Sequence, residues 1–222
     1  MKLINELREA LRKKRLGNKK AVIMPHFCID NFVSYKKKCS DFISEFNGVV
    51  DRGGGNVVIR QRLMRGGKAA NCSDALAKLG VFTSIISTTD EIGFGLMKMF
   101  LNDPLLDLSH VKTDGEFSFT TAIELEDANV MLTDPGSIID FGPENFDDDD
   151  RKLISSADIV LVSDWGLNRS GTALARECFG IVRNSGKGRT FFDPGDSAPR
   201  GSAALVDIAG LNQEVISKGL ID

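Results

Sequence analysis

The chain has 222 residues, 42% of them hydrophobic and 27% charged, which suits one α/β domain with a small accessory element. A net charge of −3 offers no basic face of the kind nucleic acid demands, and no run approaches the ~20 consecutive apolar residues of a membrane span. Charges throughout residues 1–8 argue against a secretory signal; four cysteines without Cys-x-x-Cys spacing, beside His26 and His110, leave little for zinc, so a reduced, cytoplasmic protein is expected.

Residues 3–15 have helical periodicity, with Leu3, Leu7 and Leu11 as the apolar stripe and Gly17 and Asn18 as the stop. The basic run 12–15, with Lys19 and Lys20, reads as the solvated face of that helix. Strands are predicted over residues 21–24, 83–87, 158–162, 189–192 and 206–209. Most lack polar alternation, as expected of strands covered on both faces. Helices are predicted over 69–79, 93–101, 146–155 and 170–185. The alternation predicts an α/β fold: a mostly parallel central sheet with helices on both faces. Two regions break the rhythm. Residues 36–65 are charged and glycine-rich, with an alternating piece at 56–61, and residues 117–133 read as a hairpin turning between Glu126 and Asn129. Both are expected to build a small β structure standing off the main sheet. The acidic run 147–150 falls at a predicted helix start, where carboxylates meet the helix dipole favourably, and reads as capping rather than metal binding.

The most specific stretch runs from Arg65 to Val81. Gly66 and Gly67 stand just before a predicted helix, where a missing Cβ lets backbone approach a ligand. The helix N-terminus offers free N–H groups, and Asn71 can both donate and accept hydrogen bonds. The combination suits a polyhydroxylated ligand, and an ordinary turn into a helix is the plain alternative. A nucleotide-dependent oxidoreductase would need Gly-x-Gly-x-x-Gly after the first strand, and residues 25–30 have no such turn.

The stretch 65–81 resembles the first signature of the ribokinase-like (PfkB) carbohydrate kinases, in which a Gly-Gly pair and an Asn four residues after the second Gly contact the sugar. The similarity extends over residues 21–212: the first strand leading to Asp30, the acidic turn before Gly95, the hairpin followed by Asp134 to Gly136, and the strands at 157–163 and 192–195. The resemblance implies a leading helix (1–20), a kinase domain (21–222) with Rossmann-type layers, and a small β lid from about 36–65 and 117–133. It implies ATP-dependent phosphorylation of a hydroxyl on a sugar, polyol or nucleoside. Substrate contacts are implied at Asp30, Gly66, Gly67, Lys68 and Asn71, with Asp30 accepting two sugar hydroxyls. Cys28 stands where ribokinase has another polar sugar contact, which argues against ribose as substrate. Asn212 resembles the start of the Asn-x-x-Glu motif near the phosphates; Val215 occupies the acid's position, so a one-residue shift makes Glu214 the implied metal contact. The implied cofactors are ATP and Mg2+, with a monovalent cation beside them, and the implied assembly is a homodimer through the lid.

The family's second signature is a Gly-Ala-Gly-Asp turn, whose backbone N–H groups hold phosphate and whose aspartate is the base. It does not occur in these 222 residues. The base is therefore expected beyond residue 222, with this chain the N-terminal two-thirds of a kinase and inactive by itself. The alternative is a relative that binds a sugar or nucleoside without phosphorylating it.

Overall fold

A computed structural model of the chain describes residues 18–198 and 201–217; the leading helix expected over 3–15 lies outside them. The first half contains β1 (Lys20–Met24), β2 (Cys28–Ser34), α1 (Cys39–Asp51), β3 (Arg60–Gly66), α2 (Lys68–Lys78), β4 (Phe82–Ile85), β5 (Ser87–Thr88) and α3 (Glu91–Phe100). The second half contains β6 (Leu106–Asp107), β7 (Val111–Lys112), β8 (Phe119–Glu124), β9 (Asn129–Asp134), α4 (Asp148–Ser156), β10 (Ile159–Ser163), α5 (Gly171–Ser185), β11 (Arg189–Asp193) and α6 (Gly201–Ser217).

Strand β1 shows why the apolar runs read as doubly covered. Val22 and Met24 face α4 and α5, packing with Ile154, Leu174, Cys178 and Phe179. Ala21 and Ile23 face the other way, onto Ala69 of α2. Every residue from Ala21 to Met24 is buried, so a strand with no polar alternation follows from a helix on each side. The sheet has the order β11-β10-β1-β4-β6 and all its pairings are parallel. This is the predicted α/β architecture.

A second sheet, β3-β2-β8-β9, stands off the first. Its β8 and β9 form the expected hairpin, with Thr120 opposite Thr133. Strand β2 was not expected, because Asp30 and Asn31 interrupt the alternation of Ile29, Phe32 and Val33. The expectation of β structure throughout 36–65 needs correcting too. Residues 39–51 form helix α1, which carries no buried residue and whose Phe42 and Phe46 rings stack at helical spacing. The backbone N–H of Lys38 donates to the Asp41 carboxylate at its start, and Gly53 to Gly55 follow its end.

The four predicted helices appear within two residues of their expected bounds. Asp147 accepts from the Asp150 backbone N–H, so the acidic run does cap α4. The strand expected over 206–209 is wrong: those residues lie inside α6. A four-residue apolar run does not distinguish strand from buried helix. Here Ile208 and Leu211, one turn apart, both pack on the main core. Among the described residues no helix is long and apolar enough to cross a membrane, and all four cysteines are free thiols.

Candidate ligand-binding cleft

From β1 the chain moves outward to β4 and β6 on one side, then returns to place β10 and β11 on the other. The reversal lies between β1 and β10. In open parallel sheets, the carboxyl ends of the strands flanking such a reversal leave a crevice for ligands. Pro25 and His26 follow β1 there, and Asp164 follows β10.

Asp164 is buried and left-handed, at φ 58° and ψ 36°. That backbone region costs a non-glycine residue of order 1–3 kcal/mol and marks a position held by its surroundings. One carboxylate oxygen accepts from Lys68 Nζ at 2.9 Å. The other lies 3.2 Å from His26 Nδ1. Burial alone would raise the pKa of Asp164; His26 first and then Lys68 more than reverse this and hold it at about 2. His26 Nε2 in turn lies 3.4 Å from the Ser118 hydroxyl at the foot of the lid, so one imidazole spans the sheet and the lid.

The paired glycines are positioned by the same junction. Gly66 ends β3 opposite Cys28. A Cβ there would come within 2.5 Å of Asp30 Oδ1, so the carboxylate of Asp30 lies directly against the Gly66 backbone. Gly67 has φ 85°, and its Cβ would collide with the His26 carbonyl and sit 2.8 Å from Phe27 Cα. Helix α2 starts there, and its Ala70 N–H donates to that same carbonyl. Lys68 projects from the first turn, and a Cβ on Gly195 would fall 2.8 Å from its Nζ, so the β11 loop closes over it.

Asp30, Gly66, Gly67 and Lys68 are thus brought to one junction. Asn71 follows one turn later and is exposed. The Cys28 thiol donates to Asp30 Oδ1 at 3.3 Å; burial, then the Asp30 charge, push its pKa well up, so it stays a neutral donor. A cleft of about 710 Å³ opens between lid and sheet, lined by Lys68, Asp164, Met131, Thr133, Ile139 and Leu167 among others.

Asn212 and Glu214 lie in α6. The expected strand before them is the helix α6, and the Asn212 side chain lies outside the described residues. Glu214 accepts from Arg176 Nε at 2.8 Å on the α5 side. Among the described residues no three Asp, Glu, His or Cys side chains are grouped to hold a metal ion. Among the described residues, the implied magnesium contact Glu214 is engaged by Arg176.

Sequence reasoning missed His26 and Asp164. The one signal for Asp164 was its place directly after an apolar strand, and nothing local marks His26, whose partners lie 92 and 138 residues away.

No protein-family profile and no curated protein sequence matches the chain. Solved structures do. The ribokinase of Arabidopsis thaliana, complexed with ribose and ATP, is similar with a TM-score of 0.62 at 19% identity, over 79% of this chain and 53% of that one. The adenosine kinase of Sinorhizobium meliloti gives 0.61 at 15%, over 91% and 62%. A PfkB protein from Polaromonas sp. JS666 gives 0.62 at 14%, over 88% and 62%. The chain spans between about half and just under two-thirds of the length of these structures. A parallel sheet reversing between β1 and β10, a four-stranded lid beside it and these neighbours together show that the chain has the ribokinase-like fold of the PfkB carbohydrate kinases.

Proposed function

We propose that this chain binds and orients the hydroxyl-bearing acceptor in an ATP-dependent kinase for a sugar or nucleoside. The observation that carries the reading is the Asp30 carboxylate lying on the Gly66 backbone, two residues before Lys68, which lines the cleft. A carboxylate accepts two vicinal hydroxyls well, and glycine lets the ligand approach the main chain. Asn71, in the first turn of α2, adds an amide that can donate and accept. Cytoplasmic location fits a chain with four free thiols.

Catalysis in this reading is positioning: the acceptor hydroxyl is fixed in line with the donor, and the lid excludes water. Asp164 is unsuited to be the proton acceptor. Its pKa of about 2 and its pairing with Lys68 make it too weak a base for an alcohol. It serves instead to hold Lys68 and His26 at the cleft floor. ATP would supply the phosphoryl group, and the base is assigned to none of the residues described above.

The test is ligand binding to the whole chain, followed by ATP consumption. A true acceptor at about 100 times its Kd should stabilise the fold by about 2.7 kcal/mol, a shift of several degrees in Tm. A panel of pentoses, hexoses and nucleosides that moves Tm nowhere would overturn the reading. Binding with ATP left unconsumed would leave the acceptor site standing, in an incomplete kinase or in a non-catalytic relative alike.

The outer face of the lid supports a homodimer. Leu63 and Leu132 lie on one row of that face, and Val33, Ile123 and Val130 on the next. Leu63 and Leu132 are each more than half exposed, at 54% and 58%. Asn31 and Thr121 stand between the two leucines, and exposed apolar side chains spaced along a sheet face suit a contact surface. Sedimentation of the purified chain should give twice the monomer mass, and Leu132→Asp should return it to monomer; a monomeric parent protein would sink the assembly.

A further inference from the structure

His26 sits where the main sheet, α2 and the lid meet, and it is 5% exposed. Its carbonyl accepts the Ala70 N–H at the start of α2. Its Nδ1 lies 3.2 Å from one oxygen of Asp164, whose other oxygen takes Lys68 Nζ. Its Nε2 lies 3.4 Å from the Ser118 hydroxyl, which in turn lies 3.2 Å from the Asp134 carbonyl oxygen at the end of β9. Thr133 and Pro135, the neighbours of Asp134, line the cleft on the lid side, and Lys68 and Asp164 line its floor. One buried imidazole therefore stands between two walls of the cleft.

Counting protons along this chain limits what it can do. A carboxylate only accepts, and a bare ring nitrogen would turn its lone pair on that anion, so the Nδ1 facing Asp164 carries a proton. The Ser118 hydroxyl has one proton and two acceptors within reach. With a neutral imidazole, Nε2 is bare and takes that proton, and the Asp134 carbonyl goes without it. With an imidazolium, Nε2 donates to Ser118 Oγ, and the hydroxyl donates to Asp134. Only then is every link from Lys68 to the end of β9 made at once. The titratable groups around the ring are Asp164 after β10, Lys68 on α2, Cys28 and Asp30 on β2, and Asp134 on β9. Asp30 is engaged by the neutral Cys28 thiol and the Asp134 carboxylate by the Gly136 N–H, so Asp164 is the carboxylate that meets the imidazole.

We infer that His26 is a positioning residue of the cleft, and that its second proton ties the lid segment around Asp134 to the Asp164–Lys68 pair on the floor. The tie is complete while His26 is doubly protonated and is lost as the pH rises through its titration.

The test uses the whole chain without ligand, so it stands or falls separately from the acceptor reading. Imidazole nitrogen NMR between about pH 5 and 8 reads the tautomer and charge of the two histidines, and His26→Asn identifies the His26 signals. Neutral His26 should keep its proton on Nδ1. The Gly136 and Ser137 amides donate to Asp134 Oδ1 and the Glu116 carbonyl, so they report on the end of β9. Their hydrogen exchange, corrected for its intrinsic pH dependence, should quicken by about tenfold or more as His26 loses its second proton, the scale of one hydrogen bond to a charged group. In Ser118→Ala the imidazole keeps Asp164 but loses the lid, so this step should vanish while the His26 titration persists. Neutral His26 protonated on Nε2 would overturn the inference. Exchange indifferent to the charge of His26, or a step that survives in Ser118→Ala, would overturn it as well. The two readings on the parent protein decide the matter even where the variant fails to fold.

Discussion

Asp30→Ala is expected to weaken binding of every hydroxyl-bearing ligand by about 10²- to 10³-fold, with the melting temperature of the free protein held within a few degrees. Each hydrogen bond to a charged group contributes about 1.5–3 kcal/mol, and the carboxylate is placed to accept two. Stability is spared because, in the free protein, the carboxylate accepts from the Cys28 thiol and otherwise rests on the Gly66 backbone. It anchors no distant element. Calorimetry of the variant with whichever ligand the parent protein binds, beside its thermal melt, gives both numbers. An unchanged Kd would move the hydroxyl site away from Asp30, and a collapsed melt would make Asp30 a structural residue.

Why Asp30 was visible in the sequence, and Asp164 was not, comes down to what each needs from the rest of the chain. Asp30 follows the first strand by six residues and answers to Gly66, whose doublet is itself conspicuous. Asp164 acquires its meaning from Lys68 and His26, both brought to it by the order of strands in the sheet. The central strands were legible for a similar reason: burial on both faces leaves a plain apolar run in β1 and β10. Strand β2 serves two masters, since its inner face presents Asp30 and its outer face Val33, so polar and apolar residues fall out of simple alternation. Helix α1 buries nothing and so leaves no core stripe to read. In α6 the error ran the other way: the apolar run was real, but its partner is a face of the main core reached at helical spacing. The fold was therefore legible where one residue type meets one environment, and the cleft floor was not, because its charges are matched only in three dimensions.

Gly67→Ala is expected to destabilise the protein by about 3–5 kcal/mol, a fall in Tm of about 10 °C or more. Two effects combine. Alanine at φ 85° and ψ 131° carries the cost of a positive-φ conformation that lies outside even the left-handed helical well, of order 1–3 kcal/mol. The remainder is collision: the new methyl would press on the His26 carbonyl and Phe27 Cα, which are main-chain atoms and cannot swing aside. Relief requires the start of α2 to withdraw from the β1–β2 connection, breaking the Ala70 N–H bond to the His26 carbonyl. Lys68 and His26 would then leave Asp164, so ligand binding should fail with the fold. Gly80 supplies the internal control. Its φ is 87° and nothing lies within 4 Å of its missing Cβ, so Gly80→Ala carries a positive-φ cost without the collision. Urea denaturation of the two variants should therefore differ by about 2 kcal/mol or more, with Gly67→Ala the weaker. Equal losses would mean that glycine is needed at position 67 for its φ alone, and that the close approach of α2 to His26 is dispensable to the cleft.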